Sequence, residues 1–289
     1  MINIQNDNIS VTINHRGAEL QGLFNKDNSI DYLWNGNPTY WSKTSPVLFP
    51  IVGSLKNDTC YVNGKPYQMS RHGFARDMSF MLIDQSINAV TFRIVSNDET
   101  LRKFPFTFRF EITYSIRGSE LSTTYRVHNT GTETMYFSVG GHPAFKVPLT
   151  AGGSYDDYYL EFSNDETAER WPISTAGLIE NQPAGFFHNN RLVPLTKGLF
   201  YNDAIVFKSL RSTTVKSLDN RSDRGIDFNF TGFPYLGLWA AKDADFVCIE
   251  PWCGIADAVN STQQLKDKEG IIGLAAGDKF ERTWRVTVF

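Results

Sequence analysis

His142 lies in "VGGHPAFKVPL", residues 139 to 149, between two glycines and a proline at the end of an alternating run. An imidazole titrates near neutrality, so one held stiffly is suited to giving and taking protons. Pro143 favours extended backbone at His142, and Gly140 and Gly141 leave room for close approach, here read as room for a ligand. The plainer alternative is a turn histidine satisfied by backbone hydrogen bonds. Partners decide between the two, and the chain offers several. In "SRHGFARD", His72 stands beside Gly73 with Arg71 and Arg76 on either side, a set suited to hydroxyls or to a developing negative charge. The same stretch also reads as a surface turn whose arginines meet scattered carboxylates. In "FVCIEPWCGIAD", Glu250 shares one strand face with Phe246 and Cys248 while Ile249 points the other way. A carboxylate in apolar company feels desolvation, which raises its pKa and makes it a stronger base once ionised. Trp252 offers a flat face of the kind that stacks on sugar C–H groups, or is simply core. Asp257 either shares the site of Glu250 or caps the turn that follows.

An acid and a base drawn from these residues make proton-transfer chemistry the expectation. Zinc hydrolysis is a weaker reading, because no H-E-x-x-H or comparable short spacing puts two ligands on one element. Glycine-rich phosphate loops and a G-x-S-x-G nucleophile elbow do not occur. His15 and His188 lie in polar, turn-like contexts without an assigned task.

The elements that must position these groups read as strands. "FTFRFEITYSI" carries Phe106, Phe108, Phe110, Ile112, Tyr114 and Ile116 at every second position, which predicts one apolar face of a long strand. "RGSE" turns the chain, and "LSTTYRVHN" returns with Leu121, Thr123, Tyr125 and Val127 on one face and His128 on the other, completing a hairpin. Similar alternation recurs in "ISVTI", "DYYLEF", "GIDFNF", "FVCIE" and "RTWRVTVF". The clearest helix signal is "SNDETLRKF", with Ser96 or Asn97 as its cap. Many antiparallel strands in 289 residues, with no linker, repeat or low-complexity tract, predict an all-β fold, a large antiparallel β-sandwich in a single domain over 1–289.

Composition narrows the partners. A net charge of -3 and no basic stripe argue against nucleic acid. No apolar segment approaches the roughly 18 residues of a membrane span, and the N-terminus lacks a signal-peptide pattern, so no membrane partner and a cytoplasmic location are expected. Cys60, Cys248 and Cys253 are odd in number and without C-x-x-C spacing, which predicts reduced, partly buried thiols.

The motifs "RHGFAR", "GGHPAF", "NDAIVF" and "IEPWCGIAD", in that order, resemble those of the aldose 1-epimerase (galactose mutarotase) family, and within it the LacX-like branch. The likeness runs from "HRGAEL" at 15–20 to "LAAGDKFERTWRV" at 274–286. It implies a sugar cleft on a β-sandwich, a small-molecule hexose or hexose 6-phosphate substrate, and no metal or organic cofactor. It further implies His142 as general acid, Glu250 as general base and His72 as a substrate-positioning imidazole. Arg76 and Asp203 would grip hydroxyls. Arg71 beside Arg76 could hold a phosphate dianion or serve hydroxyls. The chemistry places the acid and the base at opposite edges of one pyranose. Two other readings use the same residues: a sugar-binding module without catalysis, and a glycoside hydrolase pairing Glu250 with Asp203 or Asp257, which leaves the histidines without a task. Monomer and homodimer are both compatible with the sequence.

Overall fold

The computed structural model describes residues 1–289. Its architecture is the expected one, a large antiparallel β-sandwich. The predicted hairpin forms between strands Phe108–Arg117 and Glu120–Asn129, with Arg117 opposite Glu120 across the turn. Phe106 falls outside the strand although it is buried. Pro105 just before it has no N–H to donate to a ladder, which delays regular pairing to Phe108. The one α-helix, Asp98–Lys103, is capped by Asn97 rather than Ser96: Asn97 accepts from the Thr100 N–H, and the Thr100 hydroxyl accepts from the Asn97 N–H.

Two sheets carry the fold. In the nine-stranded sheet the predicted hairpin pairs with Ala89–Val95 on one side and with the C-terminal strand Lys279–Val288 on the other. The six-stranded sheet is centred on Phe246–Cys253, which pairs with Tyr235–Trp239 along one edge and with Val139–Gly141 and Ala144–Lys146 along the other. The sheets meet through aromatic contacts: Phe49 stacks on Phe110 at 4.5 Å, and Phe145 meets Phe228 edge-on at 5.7 Å. One contiguous apolar core runs between them, from Ile4 to Val288. A second, smaller cluster, which includes Leu48, Val206, Trp252 and Ala256, lies outside that core and packs against Trp171 and Ile173. It underlies the cavity described next.

All eight residues of Phe246–Cys253 are buried, so this strand is covered on both faces. Glu250 and Trp252 share one face and Ile249 takes the other, as the alternation predicts. The three cysteines are free and buried, more deeply than the partial burial expected.

Candidate functional site

Register brings the proton-transfer groups together. Gly140 lies opposite Trp252 and Ala144 opposite Cys248, so the position between, His142, falls opposite Glu250. Facing residues on antiparallel strands have Cβ atoms about 4.5–5.5 Å apart, close enough for their side chains to touch. The His142 Nε2 and a Glu250 carboxylate oxygen stand 3.2 Å apart, both side chains almost wholly buried. This corrects the expectation that acid and base sit at opposite edges of a pyranose.

The glycines of the motif also have a different use from the one expected. A Cβ at Gly140 would meet the Trp252 ring at 2.7 Å, and one at Gly237 would meet the far edge of the same ring at 2.6 Å. Trp252 is thus wedged across the backbone of both neighbouring strands. A Cβ at Gly141 would meet the Tyr125 hydroxyl at 2.7 Å, where that hydroxyl accepts the Trp284 indole N–H. Gly140 and Gly141 make room for the protein's own aromatic side chains, not for a ligand.

A cavity of about 790 Å³ opens over this pair, within the ~300–1,000 Å³ span of small-molecule sites. Its wall includes every residue assigned above to catalysis or binding: His72, His142, Glu250, Arg71, Arg76, Asp203 and Trp252. His72 is held in left-handed backbone (φ 70°) with Gly73 following at φ 73°. Its N–H donates to the Gly53 carbonyl at 2.9 Å, and the Gly53 N–H donates to its Nδ1 at 3.1 Å. Since Nδ1 accepts, the imidazole hydrogen resides on Nε2, making His72 a hydrogen-bond donor on that side. Arg76 donates to the Arg71 carbonyl at 2.8 Å, and Arg71 reaches Asp203 at 3.4 Å. The Nε atoms of both arginines are buried without a hydrogen bond, that of Arg76 lying 3.8 Å from an Asp77 carboxylate oxygen. Asp203, at φ 80°, also accepts its neighbour's N–H, from Ala204, at 2.7 Å.

Burial dominates the electrostatics. It lowers the His142 pKa to about 3, with Arg71 and Arg76 acting in the same direction. Burial raises the Glu250 carboxyl well above its ordinary value; Asp203 reinforces this and Arg71 opposes it. His72 is held well below the usual histidine range by burial, then by His142 and the two arginines. Burial thus disfavours the charged form on both sides of the contact. The neutral form, imidazole beside carboxylic acid, is favoured over imidazolium beside carboxylate.

Asp257 is the residue the structure removes from the site. Its carboxylate accepts from Lys268 Nζ at 3.0 Å and from the Lys56 N–H at 2.9 Å, with both side chains of the ion pair buried and outside the cavity wall. It is neither a second cleft carboxylate nor a simple turn cap. His15 packs edge-on against Phe92 and takes no part in the cavity wall, nor does His188. Several lining residues were not singled out from sequence: Trp41, Trp239, Tyr201 and Lys242. Nothing in "NPTYWSK" or "GLWAAK" distinguishes a cavity aromatic from a core one.

His142, Cys248 and Glu250 bring three ligand-type atoms within 4.8 Å of one another. Burial holds the Cys248 thiol well above its ordinary pKa, and the positive charge of Arg71 and Arg76 bears on His142. Both features oppose a dication there.

The family model described as aldose 1-epimerase matches residues 1–286. The chromosomal LacX protein of Lactococcus lactis subsp. lactis is 33% identical over 296 residues, covering 99% of each chain. Among solved structures, the galactose mutarotase related enzyme from Lactobacillus acidophilus has a TM-score of 0.94 at 32% identity, over 100% of this chain and 97% of that one. A galactose mutarotase-like protein from Lactobacillus casei has a TM-score of 0.94 at 33% identity, over 100% of both.

Proposed function

The chain belongs to the aldose 1-epimerase family, and on that premise we propose that it interconverts the α and β anomers of a hexose or hexose 6-phosphate by general acid/base ring opening and closure. The observation that carries the proposal is the cross-strand contact of His142 with Glu250 in the wall of the cavity. Ring opening needs the C1 hydroxyl proton removed while the ring oxygen gains one. In the charged form of the pair, Glu250 takes the hydroxyl proton and His142 Nε2–H gives one to the ring oxygen. That leaves neutral imidazole and carboxylic acid, the form burial favours, bound to the open-chain aldehyde. Rotation about C1–C2 presents the other carbonyl face. In closure Glu250 returns a proton to the carbonyl oxygen while His142 accepts one from the C5 hydroxyl, which restores the charged form for the next turnover. The charged and neutral forms of the pair differ only in which of the two groups, 3.2 Å apart, holds one proton.

His72 donates from Nε2 to a substrate oxygen, and the guanidinium groups of Arg71 and Arg76 in the cavity wall meet oxygens of the sugar or its phosphate. Asp203 accepts hydroxyls, and Trp252 forms part of the floor. These fixed groups hold the ring in register while the aldehyde turns. Hydrolysis is the poorer reading, because the Asp257 carboxylate is engaged by Lys268 and Asp203 is the one remaining partner for Glu250 in the cavity wall.

Polarimetry tests the proposal. Freshly dissolved α-glucose, α-galactose and their 6-phosphates are followed with and without the protein. Acceleration of one or more supports it; equilibration of all four at the spontaneous rate rejects it.

A further inference from the structure

A histidine that must present one nitrogen to its target is ordinarily oriented by a hydrogen bond to the other nitrogen. His142 has no such bond to any other residue; only its own backbone carbonyl bears on the ring. Its Nδ1 is buried and has no hydrogen-bond partner, although the side chain is almost wholly enclosed.

Aromatic rings surround it instead. Trp41 lies over the imidazole at 5.0 Å between centroids and 31° between planes. Trp239 stands edge-on at 5.5 Å and 85°, and His72 edge-on at 5.7 Å and 85°. Trp41 is itself braced. Its carbonyl accepts the Trp34 indole N–H at 2.8 Å, and its N–H donates to the Asn37 carbonyl at 3.0 Å. Its ring meets Phe246 at 5.5 Å and Trp239 at 5.4 Å. The segment carrying it is tied down beyond Trp41, where the Thr44 and Ser45 N–H groups donate to the buried Glu19 carboxylate at 2.7 and 3.2 Å. Trp41 is thus a fixed plate lying against the imidazole, on a strap between strands Ile30–Asp31 and Val47–Leu48.

We infer that Trp41 is a positioning residue for His142, setting the plane of the imidazole by its tilted ring contact and so keeping Nε2 facing Glu250. Trp239 and His72 close the sides against which the ring would otherwise tip. The inference rests on the acid role of His142 for its kinetic consequence, but its structural content can be read without turnover. Trp41 also lines the cavity, so the competing role is a stacking platform for the sugar, which would act on binding.

The experiment compares wild type with Trp41→Ala and Trp41→Phe. Mutarotation kinetics are measured together with the imidazole 15N and 13C resonances of His142, assigned from a His142→Gln spectrum. Misplacement of a reacting group by about an ångström can cost about 100-fold in rate. Trp41→Ala is accordingly expected to lose about 10–100-fold in kcat with KM within about threefold, and Trp41→Phe to recover most of it. The His142 resonances, those of one tautomer in wild type and in Trp41→Phe, are expected to average or broaden in Trp41→Ala. A Trp41→Ala protein whose His142 resonances stay sharp and those of a single tautomer overturns the inference. So does a loss confined to KM, which assigns Trp41 to the sugar. If wild type itself does not accelerate mutarotation, the proposed function fails, while the resonances still decide the role of Trp41.

Discussion

Glu250→Gln separates catalysis from stability at one position. The side chain is 2% exposed and faces His142 from the central strand, so the isosteric amide keeps the packing while removing the ability to take a proton. Loss of a general base typically costs 10²–10⁴ in rate, about 2.7–5.5 kcal/mol of transition-state stabilisation at 1.36 kcal/mol per tenfold. Polarimetry at pH 7 should therefore show kcat/KM down by at least about 100-fold. Stability should move the other way. The folded carboxyl has a pKa raised above its unfolded value, so its contribution is fully present below the unfolded pKa near 4.5 and is lost as pH rises through the folded value. Glutamine carries no such penalty. Each pH unit over which only the unfolded state is ionised corresponds to about 1.4 kcal/mol, or about 2 °C in a chain of this size. Calorimetric scans from pH 4.5 to pH 8 should show the variant gaining on wild type as pH rises, by several degrees at the upper end. Wild-type turnover by Glu250→Gln would refute the base assignment. A Tm difference independent of pH would refute the burial argument, whatever the activity.

Three further outcomes follow from the same geometry. His142 and His72 have folded pKa values below their unfolded value, so the stability they contribute is present above about pH 6.5 and is lost as pH falls; His142→Gln should show a shallower decline in Tm below pH 6 than wild type. Lys268→Met leaves the Asp257 carboxylate buried and half-satisfied and should cost about 3–5 kcal/mol by denaturant unfolding, whereas adding Asp257→Leu should restore a substantial part. Gly237→Ala places a methyl within 2.6 Å of the Trp252 ring; displacing that ring should cost about 1–3 kcal/mol in stability and lower kcat, since Trp252 sits two residues from Glu250 on the same face. A Gly237→Ala protein as stable and active as wild type would mean that the ring shifts freely.

Much of this molecule can be read from local pattern. The hairpin of Phe108–Arg117 and Glu120–Asn129 follows from residues alternating at every second position, a property of single strands that needs no partner to be visible. The helix cap at Asn97 is equally local. His142 and Glu250 stood out as titratable groups beside proline at apolar strand ends, and Arg71, His72 and Arg76 as a cationic cluster around Gly73. Asp257 read ambiguously because a carboxylate after a strand looks the same whether its partner is a sugar or a lysine eleven residues on. The glycines of "GGHP" announced close approach correctly, but the approaching atoms belong to Trp252 and Tyr125, on other strands.

The sequence by itself determined the all-β class, the faces of individual strands and the residue types able to move protons, because these depend on neighbours along the chain. Only the tertiary structure decided that His142 stands opposite Glu250, that Trp41 arrives over the imidazole from a distant strap, and that Asp257 turns away to Lys268. Register between strands a hundred residues apart is set by the whole pattern of hydrogen bonds and core packing. A slip of one residue would put Glu250 on the opposite face without changing a letter of its local pattern.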